Sequence, residues 1–225
     1  MGLCRAAAGD FRQAVWRLEL AYSLNWHDVM SAYELVCMAR AASLETRIPP
    51  LRLEAQTGRS NPEAIRRLAD IVTGEHDYVS AMLCLPASRA DAEVFGLMSD
   101  VLSAAMETHN GFADLHHGKS QVLARLGRMD EAILHATRAL AINPKYVQAR
   151  IHLGRLLAGR DPASAIGHLE QAAADGGNYA DVHVSIARLY EQTGRPERAR
   201  GALRKALEIN GNYTQAKDAL ARLAA

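Results

Sequence analysis

Three consecutive stretches align with one another: FADLHHGKSQVLARLGRMDEAILHATRALAINPKY (112–146), YVQARIHLGRLLAGRDPASAIGHLEQAAADGGNY (146–179) and YADVHVSIARLYEQTGRPERARGALRKALEINGNY (179–213). Their units start at Ala113, Val147 and Ala180, and a partial copy starts at Thr214, so the periods are 34, 33 and 34 residues. A fixed period of this length marks one supersecondary unit that cannot bury its apolar face alone and has to stack on its neighbours.

Each unit encodes a helical hairpin. Leu115, Val122 and Leu126, then Leu153, Leu156 and Leu157, then Val182, Ile186, Leu189 and Tyr190 fall at helical spacing and predict a first amphipathic helix. LGRMD, AGRDP and TGRPE then place Gly127, Gly159 and Gly194 at its end, with Pro162 and Pro196 near the next start, where proline costs least. The second helix is lined with small residues: Ala132, Ala136 and Ala139; Ala165 and Ala172; Ala199, Ala202 and Ala206. It stops at Asn143-Pro144, Gly176-Gly177 or Asn210-Gly211.

These residues resemble the tetratricopeptide repeats. The family pattern is met by Leu153-Gly154 with Leu157, Ala165 and Leu169, by Ile186-Ala187 with Tyr190, Ala199 and Leu203, and by Ala132, Ala139 and Pro144 in the first unit. Departures are Lys119-Ser120 for the usual Leu-Gly pair, glycine for the terminal proline, and a middle unit one residue short in its turn. The resemblance implies an all-α, right-handed superhelical solenoid of antiparallel hairpins, and TQAKDALARLAA reads as its C-terminal cap helix.

The resemblance extends to residues 1–43, where Gly9, Ala14, Leu18 and Ala21 have the offsets of a turn and second helix, and 27–43 read as the next first helix. In that register Met1-Gly2 stand midway along a helix, so the first repeat is expected to be truncated. Residues 44–111 form a diverged helical stretch before the three units and cap of 112–225. Pro49-Pro50 and Ser60-Asn61-Pro62 interrupt it, PEAIRRLADIV predicts a helix ending near Gly74, DYVSAMLCL a short buried one, and ADAEVFGLMSDVLSAAMETHN a long one.

Composition narrows the function. The 225 residues are 49% hydrophobic and carry 26 basic against 25 acidic residues, which excludes a disordered chain and gives nucleic acid no electrostatic handle. No window approaches a membrane span, and MGLCRAAAGDFRQ is no signal peptide. Forty-one alanines beside 5% aromatics favour closely packed helices. Cys4, Cys37 and Cys84 have neither disulfide parity nor metal spacing, which fits a reducing, cytoplasmic setting; 22 Arg to 4 Lys points to a high-GC bacterial genome.

No catalytic signature is present: no GxSxG, P-loop, GxGxxG or HExxH. His116, His117, His152 and His183 lack a supporting carboxylate or thiolate, and read as helix-surface or interhelix residues rather than a metal site. Gly2 and Cys4 lack the Ser or Thr of an acylation signal. Neither metal nor cofactor is expected, and no enzyme.

The informative feature is a polar stripe on the first helices: Asp114, Gly118, Gln121 and Arg125; Gln148, His152, Arg155 and Gly159; Asp181, Ser185, Arg188 and Gln192; Gln215, Ala219 and Arg222. Every amphipathic helix needs a polar face, and the stripe is first of all that. The family resemblance implies, however, that first helices line a concave groove, which makes this face, with His117, the candidate partner-binding surface. Arg155, Arg188 and Arg222 recur along it as a ladder suited to carboxylates of an acidic peptide, while Asp114 and Asp181 oppose that reading by neutralising the arginines. The two-carboxylate clamp of chaperone-binding members is missing at His117, Gln121, His152, Asp181 and Ser185, and so is the asparagine ladder of sugar-transferase repeats at Gly118, His152, Ser185 and Ala219. The expectation is a non-enzymatic scaffold that holds a protein or peptide. The alternatives are an interaction domain excised from a larger enzyme or signalling protein, and a homo-oligomeric assembly unit.

Overall fold

The computed structural model describes residues 62–74, 79, 83 and 92–224. Among the described residues all regular structure is helical: α1 (Pro62–Gly74), α2 (Ala92–Thr108), α3 (Ala113–Arg125), α4 (Met129–Ile142), α5 (Val147–Leu157), α6 (Pro162–Ala174), α7 (Ala180–Gln192), α8 (Pro196–Ile209) and α9 (Thr214–Ala224). The expected helices of residues 1–43, the three cysteines and most of DYVSAMLCL lie outside the described residues. Four of the helices begin at Ala113, Val147, Ala180 and Thr214, the four starts that the period predicts.

The described residues fall into two compact units divided between Asn143 and Pro144. In the first, α1 packs on α2, α2 on α3, and α3 on α4. Its interior is built on α2, where Leu97, Val101 and Leu102 are fully buried with Leu68, Leu115 and Val122 around them. In the second unit α5 to α9 pack each on the next. Leu169, Val182, Leu203 and Ala206 form its fully buried centre.

Small residues set the helix spacing. Ala132, Ala136, Ala165, Ala172 and Ala199 have no exposed surface, so any larger side chain there forces neighbouring helices apart. At Gly154 a Cβ would come within 2.8 Å of the Leu169 side chain, so any larger residue in this Leu-Gly pair would have to displace Leu169.

Turns close each hairpin with glycine. Gly127 (φ 73°) and Gly194 (φ 69°) adopt the left-handed conformation, and the amides that follow them donate back to Leu123 and Tyr190 carbonyls at 2.9 and 2.8 Å, satisfying the last turns of α3 and α7. Gly159 has no positive φ: here the connection runs over four residues, 158–161, because α5 is 11 residues long where α3 and α7 are 13, and it is closed by Arg160 and Asp161 amides on the Leu157 carbonyl, at 2.9 and 2.8 Å. The residue expected to be missing from this turn is therefore missing from the helix before it. Asp161 compensates by capping α6, its carboxylate accepting from the Ser164 amide at 3.0 Å with Pro162 at the first helical position.

The Lys119-Ser120 substitution is absorbed in the first unit. Ser120 donates to the Ala132 carbonyl at 2.7 Å, tying α3 to α4. Lys119 is buried, and its ammonium donates to the Ser99 carbonyl and to the Ser99 and Ser103 hydroxyls at 2.8 and 2.7 Å. Burial pushes its pKa down to about 8, against the attraction of Asp100.

Candidate functional site

The exposed side of the first helices in the second unit carries the densest set of charged side chains that the stripe predicts. Arg155, near the end of α5, donates to the Asp181 carboxylate in the first turn of α7 at 2.6 Å. Arg222 of α9 meets Glu191 of α7 at 3.3 Å. Between these two pairs stands Arg188, exposed, with no hydrogen bond or ion pair among the described residues. Tyr213, the residue before α9, is buried beside them. Burial and the Asp181 charge raise its phenol, while Arg188 and Arg155 pull it back, so its hydroxyl lies within the field of all three charges.

The remaining residues of the stripe divide. Gln148, Gln192 and Gln215 are exposed, and His152 and Ser185 are half-buried, the Ser185 hydroxyl turned back onto the Asp181 carbonyl at 2.8 Å. Ala219 is buried. Asp114, His117, Gln121 and Arg125 belong to the first unit. There Arg125 donates to the Leu83 carbonyl at 2.9 Å, Asp114 and Gln121 stay accessible, His117 is buried at 8% exposure, and Gly118 sits against Val79. His117 thus faces the interior, as its place one residue off the stripe requires.

Two members of the constellation were not in the sequence reading. Tyr213 has a signal: Phe112, Tyr146, Tyr179 and Tyr213 put an aromatic ring before every first helix, at the same 34, 33 and 34 spacing. Glu191 has none, because its pairing with Arg222 joins helices 31 residues apart in sequence.

The histidines behave as interhelix residues. His116 and His135 approach Nδ1 to Nδ1 at 3.0 Å with rings stacked, a contact in which one nitrogen must donate and the other accept. Burial lowers the pKa of His135 to about 4, and its neighbour's charge adds to the shift. Among the described residues no three His, Cys, Asp or Glu side chains gather as metal ligands, and no helix is long and apolar enough to cross a membrane.

Family models for the tetratricopeptide repeat match residues 113–146 and 156–223. Both stretches are tetratricopeptide repeats. The helices of the chain follow the fold of solved repeat structures. Cut9 with Hcn1, a hetero-tetramer of APC/C, shares 20% identity at a TM-score of 0.57, over 100% of this chain and 42% of that one. YrrB, described as a TPR protein with an unusual peptide-binding site, shares 17% at 0.53, over 75% and 96%. MamA shares 21% at 0.51, over 69% and 92%. No curated protein matches the sequence. The tetratricopeptide architecture of antiparallel helix hairpins is therefore secure on both sequence and fold.

Proposed function

We propose that this tetratricopeptide-repeat protein is a non-enzymatic interaction scaffold, and that the first-helix face of its last repeats receives a carboxylate-bearing segment of a partner protein at Arg188. One observation carries the reading: Arg188 is an exposed guanidinium without a counter-ion among the described residues, between two arginines that have one. An unpaired guanidinium offers two parallel donors to a carboxylate. The paired Arg155 and Arg222 side chains are exposed, at 49% and 66%, so an incoming carboxylate can compete for them at little cost. This narrows the three-arginine ladder to a single anchor with two exchangeable neighbours.

The test is a selection of random peptides displayed on phage, run against the wild-type chain and the Arg188→Glu variant. Peptides enriched in Asp or Glu, bound more weakly at high salt and lost in the variant, are the expected result. Equal enrichment of the same peptides by both proteins would remove Arg188 from the site.

A further inference from the structure

The second helices α6 and α8 both pack on α7 and leave between them a cleft of about 710 Å³, within the size range of ligand and peptide pockets. It opens on the far side of α7 from Arg188. His183, Ile186 and Tyr190, three and four residues apart, point into it, whereas Asp181, Ser185 and Arg188 lie on the opposite face of the helix. The walls are small, with Ala173 and Ala174 on α6 and Gly201 and Ala202 on α8, and a Cβ added at Gly201 would meet nothing within 4 Å.

Both ends of this apolar slot are polar and of mixed character. At one end the Tyr190 hydroxyl donates to Glu170 at 2.6 Å, with the Arg198 guanidinium 5.7 Å above the Tyr190 ring. At the other, His183 is 6% exposed and its Nε2–H donates to the Asn178 side-chain oxygen at 2.7 Å. That bond leaves His183 Nδ1 a bare acceptor with no partner among the described residues. Lys205, also lining the cleft, is a donor without a hydrogen bond or ion pair among the described residues. Arg198 and Lys205 balance Glu170 and Glu208, so the cleft as a whole selects against neither sign of charge.

We propose that this cleft is a second binding site, which takes a short, uncharged peptide segment of a partner protein with one large apolar side chain inserted between Ala174 and Gly201. A peptide main chain presents N–H donors and carbonyl acceptors in alternation, and the cleft lining offers an acceptor in His183 Nδ1 and a donor in Lys205 to meet them. The small-residue slot admits the anchor, and the balanced charges at both ends favour neither an acidic nor a basic ligand.

The probe is a random peptide library displayed on phage and selected on the Arg188→Glu chain, which disables the first-helix face. Affinities of the selected peptides are then compared in that background with and without Gly201→Phe, which fills the slot from α8, and Ala174→Trp, which fills it from the exposed end of α6. Circular dichroism establishes that both variants remain helical. The expected result is peptides with a large apolar residue, bound equally at low and high salt, whose affinity falls more than about tenfold in both variants. Failure to enrich any peptide, affinity untouched by both fillings, or binding abolished by salt would overturn the proposal. So would a dimer in the unliganded chain that Gly201→Phe dissociates, since the occupant is then a second copy. The outcome is independent of the Arg188 reading, because that site is absent from the selection.

Discussion

The repeat formed by α3 and α4 and the repeat formed by α7 and α8 share one frame and fill it with opposite chemistry. Behind α7 the interior is Ile186, Ala187, Leu189 and Leu203, all 3% exposed or less. Behind α3 the corresponding space holds the Lys119 ammonium, the Ser120 hydroxyl and the His116–His135 pair. The frame is therefore specified by the spacing of small residues and turns, and tolerates a buried charge wherever donors and acceptors can be matched. The apolar repeat is held mainly by packing, and the polar one adds a buried ammonium and a histidine pair that make its stability depend on pH.

The largest effect expected from this contrast is in the apolar repeat. Leu203→Ala removes a side chain with no exposed surface, and the cost is about 2–5 kcal/mol in denaturant unfolding, because the surrounding helices cannot fully collapse on the cavity.

In the polar repeat the sign reverses. Lys119→Met removes a buried ammonium that lacks a carboxylate in direct contact, and it is expected to stabilise the chain by about 1–2 kcal/mol at neutral pH. The wild type gains stability as pH rises from about 8 towards the unfolded lysine value of about 10.4. The variant is expected to lose that rise, and an identical alkaline profile in both would contradict the assignment.

On the acid side, the His135 pKa of about 4 lies below the unfolded value of about 6.5. The folded state prefers the neutral ring, so stability is complete above about 6.5 and declines as pH falls towards 4. The effect is smaller than that of Lys119, since His135 is half-buried and solvent screens it. His135→Gln is expected to flatten the melting temperature across this window.

Smallest of all, Arg222→Ala breaks an exposed pair with Glu191 and is expected to change stability by less than about 1 kcal/mol. A larger loss would mean that the first-helix face is held by its ion pairs rather than by the helices beneath.

How far the sequence reaches differs between backbone and side chain. Period and turn chemistry are local, so the starts at Ala113, Val147, Ala180 and Thr214 and the left-handed Gly127 and Gly194 could be read directly. Gly159 stands just past the end of α5 as the sequence places it, but the missing residue is lost from the helix and not from the turn, which the period alone does not reveal. Asp181 was legible as a neutraliser, and it pairs with Arg155. Glu191 was not, because its partner depends on how far α9 is displaced along α7. The cleft between α6 and α8 was invisible for a different reason: alanines and glycines in sequence look the same whether they close a gap or leave one. Residues 1–61 carry sequence readings that lie outside the described structure.

The central claim is that Arg188 is the anchor of a partner-binding face. Its most direct measurement is an amide chemical-shift map of the wild-type chain titrated with an acidic peptide selected on that chain. The account predicts shifts concentrated at Arg188, Asp181 and Tyr213 that weaken as salt is added. Shifts centred on Ile186 and Gly201 with Arg188 unmoved, or shifts indifferent to salt, would contradict it.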